Sequence, residues 1–158
     1  MATYLPFLIK VGQSGAYSEL MSYDPPFDTK ADFNLWIKSA PYVISPNIKN
    51  PISQSWLDQD GDDVYLSPDG VKHSAYDFIC SFVYDENDNL ANENISAFVE
   101  RIKGKWLKVY DSYTNTCRKG VYLVSVDPPE SFKRRGARDL VIFKVKFKCN
   151  IPTFNEVF

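Results

Sequence analysis

Between residues 72 and 152, hydrophobic and polar positions follow patterns that predict the order strand, helix, strand, strand, strand. The first pattern has period two over residues 73–84, so alternate side chains would share one face of a strand. One of these faces is strongly aromatic, and we expect it to be buried. Its members are Tyr76, Phe78, Cys80, Phe82 and Tyr84.

The second pattern has the spacing of one helical stripe and predicts a helix over residues 92–103. Asn92 or Asn94 could cap its start, because a short polar side chain accepts hydrogen bonds from first-turn amides. Lys103 and Gly104 predict its end, since a cation suits the carbonyl end of the helix dipole and glycine adopts a left-handed conformation. The stripe consists of Ile95, Phe98, Val99 and Ile102.

Three further segments, 106–110, 121–126 and 140–149, are rich in residues that fit a pleated sheet. Short connections with turn residues near 115, 128–129 and 134–136 predict antiparallel pairing. In the last segment apolar side chains occupy one face and lysines the other, which is typical of a half-buried strand. The apolar face consists of Val141, Phe143, Val145, Phe147 and Cys149.

The first half of the chain is less regular and rich in proline, which removes donors from a strand ladder. Residues 1–10 lack the basic start of a secretion signal and are predicted to form a strand. Residues 34–38 and 41–45 are predicted as short edge strands. The stretch from residue 12 to about residue 31 is predicted as a projecting arm, a hairpin or an irregular region.

Length and composition favour one domain covering residues 1–158, since 44% hydrophobic and 15% aromatic residues can form a sizeable core. Together with the element order, this predicts a mainly β (α+β) fold, an antiparallel β-sandwich or barrel flanked by one α-helix. The net charge of −2 gives no reason to expect a nucleic-acid partner. No apolar run approaches the ~18 residues of a membrane span.

Cys80, Cys117 and Cys149 lack paired spacing, which suits a reducing cytoplasm. Cys80 and Cys149 fall on core-facing positions and are predicted as buried thiols. The only histidine, His73, would face away from Cys80 on a regular strand and could meet Cys117 only through the fold. We therefore predict no catalytic residue, metal site or cofactor, and interpret the chain as a non-enzyme.

Asp58, Asp60, Asp62 and Asp63 have the spacing that begins a calcium-binding loop. Asp63 stands where that loop needs glycine, and Asp69 where it needs a bidentate glutamate. The favoured interpretation is a solvated turn before a strand at residues 64–66, with calcium binding as the alternative.

Lys144, Lys146 and Lys148 would lie about 7 Å apart along one strand face. With Arg134 and Arg135 they form a candidate subunit interface. The alternative is a solvated outer face.

The three tryptophans, Trp36, Trp56 and Trp106, could line a platform for sugar rings. Most of the aromatic residues are instead predicted in the core, because they fall on alternating strand positions. A carbohydrate-binding β-sandwich module is therefore the alternative function.

Several features of the second half combine into a family pattern: the strand at 73–84, the helix near 95–102, the run Gly104-Lys105-Trp106-Leu107-Lys108-Val109, the strand at 121–126 and the ending Val145-Lys146-Phe147-Lys148-Cys149-Asn150-Ile151-Pro152. This pattern resembles the amino-terminal domain of tailed-phage distal tail proteins and the wider tail-tube group. The resemblance implies a β-sandwich or barrel with one helix that assembles into hexameric rings. Many distal tail proteins also carry a carbohydrate-binding-like second domain, for which this sequence leaves no length.

The resemblance further implies a structural component of a phage or prophage tail, or of a related injection apparatus. Its partners would be copies of itself and neighbouring tail proteins. It would be made in the cytoplasm and end in the virion tail. The segment 12–30 and the edge strands near residues 34–45 would then be the regions through which subunits join.

Overall fold

The structure is a computed structural model that describes residues 5–20, 22–40, 45–68, 70, 72–152 and 158. Strands and α-helices occur at the following positions: β1 Phe7–Val11, β2 Phe27–Asp28, α1 Thr29–Phe33, β3 Leu35–Ser39, β4 Ile52–Ser55, β5 Asp62–Tyr65, β6 Tyr76–Glu86, α2 Ala91–Ile102, β7 Leu107–Asp111, β8 Thr116–Val126, β9 Ser131–Arg135 and β10 Arg138–Cys149. A short 3-10 turn occupies Tyr17–Glu19.

Eight of the strands form one curled, half-barrel sheet. Its order is β2-β1-β7-β8-β10-β6-β3, and β9 pairs with β10 beside this path. The pairings in this sheet are antiparallel. The predicted fold class, mainly antiparallel β with one long helix, is therefore confirmed.

The two longest predicted alternations lie side by side in the centre of the sheet. β6 and β10 pair from Asp139↔Glu86 to Cys149↔Tyr76. Their inward side chains are buried except Tyr76 and Glu86, at the two ends of β6, which are half-buried. Because this register sets the two predicted apolar faces on the same side, the central core rings stack across the strands: the centroids of Phe82 and Phe143 lie 5.8 Å apart.

β8 and β9 pair with different halves of β10 and are separated by Asp127-Pro128-Pro129-Glu130. Proline has no amide to donate, so the ladder is interrupted there. Asp127 and Glu130 donate to the carbonyl oxygens of Lys144 and Ile142 at the two ends of the interruption. The sequence did not predict β9, because its arginines were assigned to a turn; the chain turns later, between Arg135 and Arg138.

Helix α2 covers the concave side of the sheet with Phe98 and Ile102. The Phe98 ring centroid lies 5.4 Å from that of Phe82 and 5.7 Å from that of Phe33. The end of the helix agrees with the prediction, because Lys103 is its C-cap and Gly104 follows with φ +66°. The edge-to-face aromatic contacts join α2 to both α1 and the sheet.

The start of α2 corrects the sequence prediction. The helix begins at Ala91 without a side-chain cap from Asn92 or Asn94. Asn94 instead donates to the hydroxyl of Tyr84 at 2.8 Å. The amide of Ala91 donates to the carboxylate of Asp139 on β10, so the cap comes from a strand far along the chain.

The described residues between β1 and β2 carry a short 3-10 turn and contact Trp106, which precedes β7. Gly12 donates to the carbonyl of Trp106 at 2.7 Å, and the Trp106 indole donates to Gly15 at 2.7 Å. β2 then pairs with β1. The predicted edge strand at 34–38 is confirmed as β3, which pairs with β6 and ends the sheet. Residues 41–44 of the second predicted edge strand lie outside the described residues.

Candidate functional site

A separate two-stranded hairpin, β4 and β5, projects from the body of the protein. Its stem joins Ile48 and His73 in an antiparallel bridge. Lys49 donates to the carbonyl of Lys72 at 2.9 Å, and Ser74 donates to that of Asn47 at 2.8 Å. We call residues 52–65 the hairpin arm, with residues 47–49 and 72–74 as its stem.

The hairpin arm is exposed on both faces: every residue of β4 and β5 is exposed. Its large apolar side chains include Ile52, which is 79% exposed, and Leu57, which is fully exposed. A two-stranded hairpin is marginally stable alone, and contiguous exposed apolar groups mark interaction surfaces. The further exposed apolar members are Trp56, Val64, Tyr65 and, just beyond the arm, Leu66.

The tip of the arm is held by hydrogen bonds to Asp63. Its two carboxylate oxygens accept from the Trp56 indole and the Gln59 amide, each at 3.0 Å. Gly61 completes the turn with φ +79°. Asp58 and Asp60 therefore lie in a turn before a strand, as favoured from the sequence, whereas Asp62 and Asp63 begin that strand, which is Asp62–Tyr65 instead of 64–66.

The calcium alternative depends on Asp58 and Asp60 of this turn and on Asp62 of β5, all of them exposed. Asp69 lies outside the described residues. No group of three or more histidine, cysteine, aspartate or glutamate residues able to hold a metal ion occurs in the described part of the chain.

The lysines of β10 lie on the outer face, which we define as the side of β3, β6, β9 and β10 turned away from the core. Lys144 contacts Glu130 at 2.5 Å, and Lys146 contacts Asp77 at 3.3 Å. The hydrogen bond from Lys144, with the charges of Lys144 and Lys38, lowers the pKa of Glu130 despite desolvation.

The structure divides the two predicted arginines between the faces of β9. Arg135 pairs with Arg138 on the outer face. Arg134 lies on the opposite side and forms two bonds to the buried Asp139, at 2.6 and 2.9 Å. Four members of the predicted interface set therefore share a face: Lys144, Lys146, Lys148 and Arg135. Arg134 instead lies on the other face, where it holds β9 and β10 together. Their role as an interface stays a prediction.

A short apolar row crosses the outer face between these cations. Trp36 of β3 pairs with Val83 of β6, and Val83 pairs with Ile142 of β10. Trp36 is 42% exposed, and the Lys30 ammonium lies 4.6 Å from its ring centroid. The outer face is thus both basic and apolar.

Trp36 and Trp56 are exposed and so are not among the aromatic residues of the core. Trp36 faces outward from an edge strand, whereas Trp56 belongs to the hairpin arm. Trp106 is half-buried and lines a cleft of about 370 Å³ with Tyr122, Leu123, Lys105 and Asn150, beside Gly15 and Gly104. The three tryptophans therefore do not form one platform. Among the described residues that line the cleft, Trp106 is the one tryptophan.

The three thiols are buried, so the predicted burial of Cys80 and Cys149 is confirmed. Desolvation raises the pKa of Cys80 to about 12, and desolvation also raises the pKa of Cys149. Cys117 is 2% exposed. His73 lies 3.0 Å through Nδ1 from the Pro46 carbonyl oxygen, and so belongs to the stem of the arm.

The sequence contains a signal for the hairpin arm that is separate from the alternation of hydrophobic and polar positions. Asp60-Gly61 is a hairpin-type turn dipeptide between two short strand-forming runs.

No protein-family model and no curated protein matches the chain. Among the described residues, no helix is long and apolar enough to cross a membrane.

Proposed function

We propose that the chain is a structural subunit of a phage or prophage tail, or of a related injection apparatus, and that it assembles with its own copies into a ring or tube. The observation that carries this proposal is the hairpin arm, whose strands expose apolar side chains on both faces. The curled antiparallel sheet with one long helix is the architecture that the family resemblance implies.

The free energy of docking would come from the apolar side chains of the arm. Fully burying one side chain of the Leu, Ile or Val type stabilises a contact by about 1.5–3 kcal/mol. Several such groups lie within residues 52–66, where Ile52 and Leu66 are mostly exposed. The gain is large enough to offset part of the entropy lost when subunits associate.

The shape of the arm favours assembly between unlike surfaces. From Lys49 to the tip at Trp56 an extended chain spans at most roughly 23 Å, by the rise per residue of a strand. Such an arm reaches a neighbouring subunit at a surface other than its own base. A contact between two different patches is heterologous, and it closes into a ring or continues as a tube.

The test compares the unaltered chain with a variant in which an Asn-Gly turn replaces residues 50–71. That turn closes a hairpin on the bonded pair Lys49 and Lys72. Sedimentation velocity and negative-stain microscopy should show concentration-dependent rings or short tubes for the unaltered chain and monomers for the variant. Circular dichroism should show the same α2 signal in both. A chain that stays monomeric at every concentration, or a variant that assembles normally, would overturn the proposal.

A second candidate function, carbohydrate binding, is favoured by the cleft beside Trp106. Trp106 and Tyr122 offer aromatic surface there, and Asn150 and Lys105 offer polar groups, which together suit a sugar ring. Titration with a panel of oligosaccharides should quench Trp106 fluorescence. The substitution Tyr122→Ala should abolish this quenching. Absence of any titratable change across the panel would exclude this candidate.

A further inference from the structure

The hairpin arm carries negative charge alone. Asp58, Asp60, Asp62 and Asp63 lie between Ile52 and Ser67, a stretch without lysine or arginine. All four side chains are on exposed residues. Since the whole chain has a net charge of −2, the rest of the chain is positive on balance.

The excess positive charge is concentrated on the outer face. Among the described residues it presents Lys38, Lys133, Arg135, Lys144, Lys146 and Lys148. The anions close to them are Asp77 and Glu130, which pair with lysines, and Asp127, which lies near Lys144. The Arg138–Asp85 pair, with bonds at 2.8 and 2.9 Å, adds no net charge. Cations therefore outnumber anions on this face.

The two surfaces also match in their apolar groups. The outer face carries the row Trp36, Val83 and Ile142 between its cations, with Ile79 exposed nearby on β6. The arm carries Trp56 and Leu57 directly before its acidic turn. An apolar centre with charges of opposite sign around it is the arrangement found in protein interfaces.

We infer that the hairpin arm of one subunit docks on the outer face of a second copy, with its aspartates among the lysines and Trp56 and Leu57 on the apolar row. This inference rests on the proposed function and names the partner surface for it. The arm's own strands are exposed along their length, so the arm is not already seated on the face of its own subunit.

Charge reversal tests the pairing. One variant carries Asp58→Lys with Asp60→Lys in the arm, and a second carries Lys133→Glu with Arg135→Glu on the outer face. A control carries Lys103→Glu with Lys105→Glu, the same charge change as in the second variant, on exposed residues beyond α2. Each of the first two should raise the concentration for half-assembly by about tenfold or more, since close charge pairs across an interface couple strongly. The control should assemble normally.

Mixing the two reversed variants supplies the decisive measurement. In a mixture the lysines introduced into the arm of one variant meet the glutamates introduced on the face of the other, so alternating assemblies should form at the original concentration. A single chain with all four substitutions should also assemble, which shows that the substitutions do not prevent folding. Raising the salt concentration should weaken assembly of the unaltered chain.

The outcomes separate the two proposals. Normal assembly of either reversed variant, or no rescue in the mixture, overturns docking on the outer face. If assembly still depends on the arm in that case, the proposed function stands and the arm uses another surface, such as the edge strand β3. If the unaltered chain never assembles, both are overturned.

Discussion

Arg134 and Asp139 face each other across the β9–β10 hairpin, with Arg134 Nε and Nη2 lying 2.6 and 2.9 Å from the two carboxylate oxygens of Asp139. Asp139 is buried, whereas the Arg134 side chain remains half-exposed. The same carboxylate accepts the amide of Ala91 at the start of α2. One side chain thus joins the hairpin to the helix, and an anion at a helix start is also favoured by the helix dipole.

Replacing this carboxylate with an amide, Asp139→Asn, should lower Tm by several degrees. The substitution nearly keeps the shape but removes the charge that both Arg134 and the first turn of α2 require. Thermal unfolding followed by circular dichroism measures the change, and Asp60→Asn in the exposed turn is the matched control. An unchanged Tm for Asp139→Asn would show that the bonds contribute nothing net.

Acid should destabilise the protein through the same group. The hydrogen bond from Arg134 lowers the pKa of Asp139, and that from Arg138 lowers the pKa of Asp85. A lowered folded-state pKa gives stability that is present above the unfolded value, near 3.8, and lost as the pH falls through the folded value. Tm measured from neutral pH downward should therefore fall steeply below about pH 4, and Asp139→Asn should flatten that slope. If the curves of Tm against pH run parallel for the unaltered chain and the Asp139→Asn variant, the acid sensitivity does not come from Asp139.

The central strands could be predicted because their alternation records which side is buried. Phe82 and Phe143 each sit in a period-two pattern, and burial on one face produces that pattern directly. The helical stripe through Phe98 is informative for the same reason. The end of α2 was also predictable, since Gly104 acts locally through its left-handed conformation.

The features that the sequence did not reveal depend on residues far along the chain, or they lack a buried face that would leave a pattern. The cap of α2 comes from Asp139, a residue of another strand, so no nearby capping residue marks it. The hairpin arm has no buried face in the single subunit, and its run Ile52-Ser53-Gln54-Ser55 therefore has no alternation of large apolar side chains. The division of Arg134 from Arg135 was likewise hidden, because it depends on β9 being a strand.

The three thiols should resist alkylation in the native protein. Thiolate is the reactive form, and burial both blocks access and holds the pKa of Cys80 near 12. Mass spectrometry after brief treatment with iodoacetamide at neutral pH should find Cys80, Cys117 and Cys149 largely unmodified, and all three labelled after unfolding in guanidinium. Rapid labelling of Cys117 alone would instead support the hypothesis that this residue is a nucleophile.

Gly120 should tolerate a side chain less well than Gly136, although both have left-handed backbones with φ near +62° and +65°. A Cβ at Gly120 would lie 2.9 Å from Cβ of Ile151, whereas one at Gly136 would meet nothing within 4 Å. Gly136→Ala should therefore cost about 1–2 kcal/mol, from the backbone conformation alone. Gly120→Ala should cost about 1–3 kcal/mol more, because the crowded site must also shift. Chemical denaturation of both variants measures the difference, and equal losses would show that Ile151 moves aside without a free-energy cost.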